Sequence, residues 1–105
     1  ESRGLGDVYK RQDGEYVTMK AINGAKLYYT VAGASEKSMT QLEEPTFNSE
    51  HLEPRQKVVF SCYDFNKNAN RGGLYLKVHA YKNGKLIAIS YESHYMIHMI
   101  PGFYY

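Results

Sequence analysis

The sequence predicts a small antiparallel β domain, and three observations lead to that prediction. Apolar and polar residues alternate with a period of two in several segments. Asn-Gly dipeptides, which tolerate the positive φ angles of a tight hairpin turn, follow two of these segments. The chain also contains 11 Tyr against 4 Phe, and tyrosine suits half-buried strands because its ring packs while its hydroxyl reaches water.

Length, charge and cysteine content limit the function classes. The 105 residues suffice for one domain with a modest core, and a formal net charge of +2 argues against a nucleic-acid partner held by phosphate contacts. Cys62 is the only cysteine, so the chain forms no internal disulfide and no multi-cysteine zinc site. No apolar run has transmembrane length, and we therefore expect no membrane span.

The first twelve residues, ESRGLGDVYKRQ, resemble the translated sequencing-adapter read-through found at the ends of gene models from environmental DNA. We therefore expect residues 1–12 to be a scar without a native fold, and the native protein to extend further upstream. The β domain is predicted at residues 13–93. Residues 94–105 are interpreted as a last strand or as the start of a truncated following segment.

The first predicted strand covers residues 15–22, where apolar residues alternate with polar ones. A strict two-residue loop at Asn23-Gly24 would place Lys20 opposite Leu27, a polar residue against a core residue. Either this loop is longer or bulged, or the strands on its two sides enter different sheets.

Two further strands are predicted at residues 25–31 and 57–63, each with alternate side chains facing inward. Between them, residues 34–55 are polar, contain two prolines and show no sustained period of two. We predict one long irregular loop there. The Asn, Asp and Gly content of residues 64–73 is typical of an exposed turn.

Residues 74–90 are predicted to form a hairpin around Asn83-Gly84. A two-residue loop makes Lys82 face Lys85, and strict alternation then sets the apolar pairs on one face. These pairs are Ala80 with Ile87, Val78 with Ile89, and Leu76 with Tyr91. This register is the strongest local support for a sandwich.

Four pieces of the chain, in order, resemble the chitobiase/β-hexosaminidase C-terminal-type domain and the related fibronectin type III-associated domain. The matching positions are Gly24, Ala25, Leu27, Tyr28, Tyr29 and Thr30; Glu44, Pro45, Thr46, Ser49 and Pro54; and Leu76, Lys77, Val78, Ala80, Tyr81, Gly84, Lys85 and Ser90. The chain departs from the pattern at Ala32, where the family has Asp. Apparent insertions lie at residues 35–43 and 64–73.

The resemblance implies an immunoglobulin-like β-sandwich that is non-catalytic and belongs to a larger secreted, periplasmic or cell-surface bacterial protein. Its partners would be neighbouring domains of the same polypeptide, often of an enzyme that acts on carbohydrate. Two alternatives stay open. One is a carbohydrate-binding module, and the other is a fragment of a catalytic domain.

The residues offer few catalytic or metal-binding candidates. His94 and His98 have helical i, i+4 spacing but supply too few ligands for a metal, and the glutamate of a metalloprotease motif is missing between them. Cys62 is predicted to point inward, which argues against a nucleophile paired with His79. Acidic residues of the long loop are interpreted as solvated: Glu43, Glu44, Glu50 and Glu53. We therefore predict no catalytic, cofactor-binding or metal-binding residue.

The sharpest candidate is a carbohydrate contact made by Tyr75, His79 and Tyr81. Their spacing places all three on the outward side of one strand. Exposed aromatic rings stack on sugars, so this face is a hypothetical carbohydrate-binding surface. Its competing interpretation is a surface that covers a neighbouring domain.

Overall fold

Seven strands and one short 3₁₀ helix form the described part of the chain. The computed structural model describes residues 8–13, 16–65 and 71–97. The strands are β1 (Val8–Asp13), β2 (Tyr16–Ala21), β3 (Lys26–Gly33), β4 (Glu50–Leu52), β5 (Lys57–Ser61), β6 (Arg71–Lys82) and β7 (Lys85–Ile97), and the 3₁₀ helix is Cys62–Phe65.

The strands form two antiparallel sheets, one with the order β1-β2-β5 and one with the order β4-β3-β6-β7. Alternate residues of both sheets meet in one core, which buries apolar area and so drives folding. The largest fully buried apolar side chains in it are Met19, Leu27, Leu74, Leu76, Val17 and Cys62. The predicted small antiparallel β-sandwich with one long irregular loop is confirmed.

The turn at Asn23-Gly24 connects the two sheets. Both residues have positive φ angles, 57° and 75°. The strand before them, β2, lies in the three-stranded sheet, and the strand after them, β3, lies in the four-stranded sheet. Lys20 consequently pairs with Lys57 and Leu27 pairs with Ala80, which removes the polar-on-core mismatch. Of the two explanations for that mismatch, the change of sheet is confirmed.

The predicted register of the β6–β7 hairpin was wrong beyond the first two pairs. Lys82 does face Lys85, but the ladder shifts by one residue between Ala80 and Tyr81. The observed pairs are Ala80 with Ala88, Val78 with Ser90, and Leu76 with Glu92. This shift is a β-bulge in which Ile87 has no opposite residue. The hairpin register therefore does not support the assignment of a sandwich, which depends instead on the two-sheet topology.

The bulge has a physical reason in the sequence of β7. Apolar residues occupy both parities of its first half, Leu86 to Ile89, so alternation alone does not choose the inward face. The bulge turns the small residues Ala88 and Ser90 into the core, where they are 6% and 0% exposed. It turns Ile89 and Tyr91 outward, where they are 39% and 43% exposed.

Several boundaries differ from the prediction. Residues 8–12, expected to lack a native fold, belong to β1, which pairs with β2. The unpaired backbone N–H and C=O groups at the edge of a sheet can form hydrogen bonds with any extended segment. The short β4 lies inside the predicted long loop and pairs with β3. The next strand, β5, gives way to the 3₁₀ helix at Cys62, and β6 begins at Arg71, inside the predicted turn.

Candidate functional site

The candidate site lies on the outer face of the four-stranded sheet, the face turned away from the core. Outward residues of β6 are Tyr75, Lys77, His79 and Tyr81, and their cross-strand neighbours on β7 are Ser93, Tyr91, Ile89 and Leu86. On the other side, β3 contributes Lys26, Tyr28 and Thr30. The outer face therefore combines aromatic rings with basic side chains.

The loop between β3 and β4 crosses this face and is fastened to it by four side chains, here called the Glu44 cluster: Glu44, Lys77, His79 and Tyr91. The carboxylate of Glu44 accepts a hydrogen bond from the Tyr91 hydroxyl and lies 3.0 Å from His79 Nε2. Its Oε2 is 3.5 Å from Lys77 Nζ, which also lies 4.9 Å from the centre of the Tyr91 ring. The cluster thus joins the loop to both strands of the hairpin.

The electrostatics of the Glu44 cluster favour the charged carboxylate. Burial by itself would raise the pKa of Glu44, but hydrogen bonds with Tyr91 and His79 and the charge of Lys77 outweigh burial and lower that pKa. The hydrogen bond that the Tyr91 hydroxyl donates to Glu44 also raises the pKa of Tyr91. Glu44 was expected to be a solvated side chain; its side chain is 47% exposed, yet both of its oxygens are bonded.

Local turns give the loop its shape. Ser38 and Gln41 bond each other's backbone N–H groups reciprocally through their side chains, the pattern of a capping box formed here around a turn. The Leu42 N–H donates to the Ser38 carbonyl. Leu42 is only 4% exposed, and its carbonyl accepts a hydrogen bond from Lys77 at 2.7 Å. Thr30 donates to the Glu43 carbonyl at 2.6 Å, so β3 also holds the loop.

The second feature is a cleft of about 370 Å³ beside the two Asn-Gly turns, here called the aromatic cleft. Its lining residues are Gly24, Lys26, Tyr28, Phe47, Glu53, Pro54, Tyr81, Asn83 and Gly84. Phe47 packs edge-on against Tyr28, with ring centres 5.2 Å apart, and lies 5.0 Å from the Tyr81 ring. Tyr28 and Tyr81 are themselves edge-to-face at 5.7 Å, so the three rings contact one another pairwise.

An ion pair lies at the rim of the aromatic cleft. Lys26 Nζ is 3.3 Å from Glu53 Oε2 and 5.3 Å from the centre of the Tyr28 ring. His51 Nε2 is 2.9 Å from the same carboxylate oxygen. Contacts with His51 and then Lys26 lower the pKa of Glu53. The rim therefore presents an ammonium and a carboxylate side by side.

A depression of about 500 Å³ lies between β3 and the loop. Its lining is largely polar, and several of these groups bond within the loop. Thr46 and Ser49 bond each other through side chain and backbone, and Asn48 donates its N–H to the Thr46 hydroxyl. We assign it no ligand.

The structure places the three predicted carbohydrate-contact residues on the outer face of β6 without gathering them in one cleft. Tyr75 lies near the middle of β6 and Tyr81 near its end, six residues or about 20 Å apart along the strand. Between them, the His79 side chain is 16% exposed and bonded to Glu44 beneath the loop. Only Tyr81 lies in the aromatic cleft. Sequence patterns do not single out four other residues that line this cleft: Tyr28, Phe47, Lys26 and Glu53.

Among the described residues, the remaining catalytic and metal candidates do not converge. Cys62 belongs to the buried core, whereas His79 lies on the outer face of the four-stranded sheet, so the two are separated by that sheet. His94 lies on β7 opposite Leu74, and His98 lies outside the described residues. Among the residues that the structure describes, no group of three or more His, Cys, Asp and Glu side chains could hold a metal ion.

Comparison with protein-family models, with curated proteins and with solved structures found no match to this chain. Within the described ranges, no helix is long and apolar enough to cross a membrane.

Proposed function

We propose that the chain is a non-catalytic accessory β-sandwich module of a larger secreted or cell-surface bacterial protein. Its role is to space, dock or stabilise a neighbouring domain of a carbohydrate-active enzyme. The resemblance of its residue pattern to chitobiase C-terminal-type domains supports the class of parent protein. The structure contributes a separate argument, which comes from the Glu44 cluster.

The proposal rests on one observation: the side chains of the Glu44 cluster bond the β3–β4 loop to β6 and β7. A carboxylate that acts as a general acid at neutral pH needs a raised pKa and an open path to the substrate. Glu44 has a lowered pKa, and its oxygens are bonded to Tyr91 and His79. Lys77 beside it is 6% exposed and bonded to the loop backbone. These groups hold the loop on the sheet, which is a structural role.

Excision of the module from the protein encoded by the complete reading frame tests the proposal. We expect the form lacking residues 13–97 to have a lower thermal midpoint, because the neighbouring domain loses a packed surface. Its kcat on a small soluble chromogenic substrate should stay unchanged. Loss of kcat in a form that is still folded would contradict an accessory role.

Point variants of the same full-length protein separate the accessory role from a catalytic one. Glu44→Gln keeps the size of the side chain and removes its charge, and we expect unchanged kcat. The double variant His94→Ala with His98→Ala addresses the interpretation as a catalytic fragment. A fall in its kcat with an unchanged thermal midpoint would favour that interpretation over the accessory module.

A further inference from the structure

We propose that the aromatic cleft is a binding site for a neutral saccharide unit. This site shares only Tyr81 with the strand face formed by Tyr75, His79 and Tyr81, and it adds a binding activity to the accessory role. Three features carry the inference: an exposed ring with aromatic support, a paired donor and acceptor at the rim, and a balanced local charge.

Phe47 supplies the exposed ring. It is 68% exposed although it is wholly apolar, and it lies at a turn of the loop where a polar residue is more usual. Its contacts with Tyr28 and Tyr81 restrict the ring, which reduces the conformational entropy lost on binding. A restricted ring in water suits a ligand with an apolar C–H face, which a pyranose ring has.

The rim supplies the polar contacts. A sugar hydroxyl both donates and accepts hydrogen bonds, so two neighbouring hydroxyls match an ammonium donor beside a carboxylate acceptor. Lys26 and Glu53 provide that pair at 3.3 Å. The side-chain amide of Asn83, at the second turn, offers one further donor and one further acceptor.

Charge at the rim selects a neutral ligand. Three aromatic rings and a carboxylate would also suit a quaternary ammonium group. Here, however, Lys26 already places a cation 5.3 Å from the Tyr28 ring centre, and it repels a second cation. An anionic ligand meets the opposite obstacle, because Glu53 lies next to Lys26. The cavity of about 370 Å³ is at the small end of the range for small-molecule sites, which fits one or two sugar units.

The test uses the folded chain and a panel of neutral hexasaccharides: β-1,4-linked glucose, xylose, mannose and N-acetylglucosamine. Binding is measured by calorimetry and by backbone amide shifts in NMR spectra, with tetramethylammonium as a cationic probe. We expect at least one hexasaccharide to bind and to shift amides around Phe47, Tyr81 and Asn83. Tetramethylammonium should not bind.

Variants locate the site. Phe47→Ala removes an exposed ring without opening the core, and we expect it to weaken binding about tenfold or more, whereas Phe47→Tyr keeps the ring and the affinity. The matched control is Tyr16→Ala, which removes a ring that is 47% exposed on the other sheet and should leave affinity unchanged. Tyr75→Ala should also leave it unchanged.

Three results would overturn the inference. The first is a folded parent chain that binds none of the four hexasaccharides. The second is equal affinity of the parent and Phe47→Ala. The third is tighter binding of tetramethylammonium than of any saccharide, which would assign the cleft to cations.

Discussion

The ammonium group of Lys77 donates a hydrogen bond to the backbone carbonyl of Leu42, 35 residues earlier in the chain, with Nζ and O 2.7 Å apart. Lys77 points to the outer face of its sheet, where alternation predicts exposure, yet the residue is only 6% exposed. The loop therefore buries it. This contact and the neighbouring Glu44 carboxylate fasten the loop across the sheet and place Phe47 beside Tyr28 and Tyr81.

Replacing Lys77 with methionine tests how much this fastening stabilises the fold. Lys77→Met keeps most of the buried stem but leaves the Leu42 carbonyl without its donor, and we expect a loss of about 1–3 kcal/mol in the free energy of unfolding. Urea denaturation measures it. Lys57→Met, at an exposed position on β5, should change stability by less than about 0.5 kcal/mol. Equal losses for both variants would contradict the role of Lys77.

Acid should weaken the Glu44 cluster. The pKa of Glu44 is lower in the folded chain than its ordinary value, so its contribution is present above the unfolded pKa and is lost as pH falls through the folded pKa. We therefore expect Glu44→Gln to be less stable than the parent near pH 7 and equally stable near pH 2. Thermal unfolding followed by circular dichroism at both pH values measures this.

Tyr91→Phe provides a second view of the same bond, because it removes only the hydroxyl that donates to Glu44. It should also lower stability near pH 7 and lose this effect in acid. Tyr16→Phe, on the other sheet, is the matched control. A stability difference between Glu44→Gln and the parent that stays constant down to pH 2 would show that the carboxylate charge has no part in holding the loop.

Because of the β-bulge, Ile89 faces outward while Val78 faces the core, so a polar substitution should destabilise the fold much less at Ile89 than at Val78. Ile89 is 39% exposed on β7, so Ile89→Thr should cost less than about 1 kcal/mol. Val78 is 2% exposed on β6. Val78→Thr replaces a buried methyl group with a hydroxyl of similar volume, at a cost of about 1–3 kcal/mol in the free energy of unfolding. Urea denaturation of both variants compares them. An Ile89→Thr variant as unstable as Val78→Thr would favour the regular register, with Ile89 in the core.

Gly33 is required for close packing against the 3₁₀ helix. A Cβ atom built at Gly33 would clash with the Phe65 carbonyl oxygen, so the backbone must move to admit it. We expect Gly33→Ala to cost about 3 kcal/mol, as severe overpacking does. Gly84→Ala meets no atom within 4 Å, and its cost of about 1–2 kcal/mol comes from a φ angle of 77°. Calorimetric unfolding should rank Gly33→Ala as the less stable variant.

Alternation and turn chemistry predict most strands of this chain. They place β2, β3, β5 and β6 approximately, because the core residues of each strand recur mostly at one parity. They also anticipate a change of sheet at Asn23-Gly24, since a direct hairpin would set Lys20 against Leu27. They fail at β7, where apolar residues stand at both parities and the bulge is chosen by tertiary contacts such as that of Tyr91 with Glu44.

The candidate site is less predictable, because it depends on contacts between distant parts of the chain. Glu44 meets His79 and Tyr91 across 35 and 47 residues. Phe47 lies in a loop without periodicity, so no local pattern marks it as a partner of Tyr28 and Tyr81. Outward alternation on β3 identifies Tyr28 as a surface ring, but only the pairing of β3 with β6 brings it to Tyr81.

Lys77 and Glu44 fasten the loop to the outer face, and the loop so holds Phe47 against the two tyrosines. Nuclear Overhauser contacts between ring protons of Phe47 and those of Tyr28 and Tyr81 measure this most directly. We predict contacts to both tyrosines in the parent chain and their weakening in Lys77→Met. Contacts between Tyr28 and Tyr81 without any to Phe47 would contradict this placement of the loop.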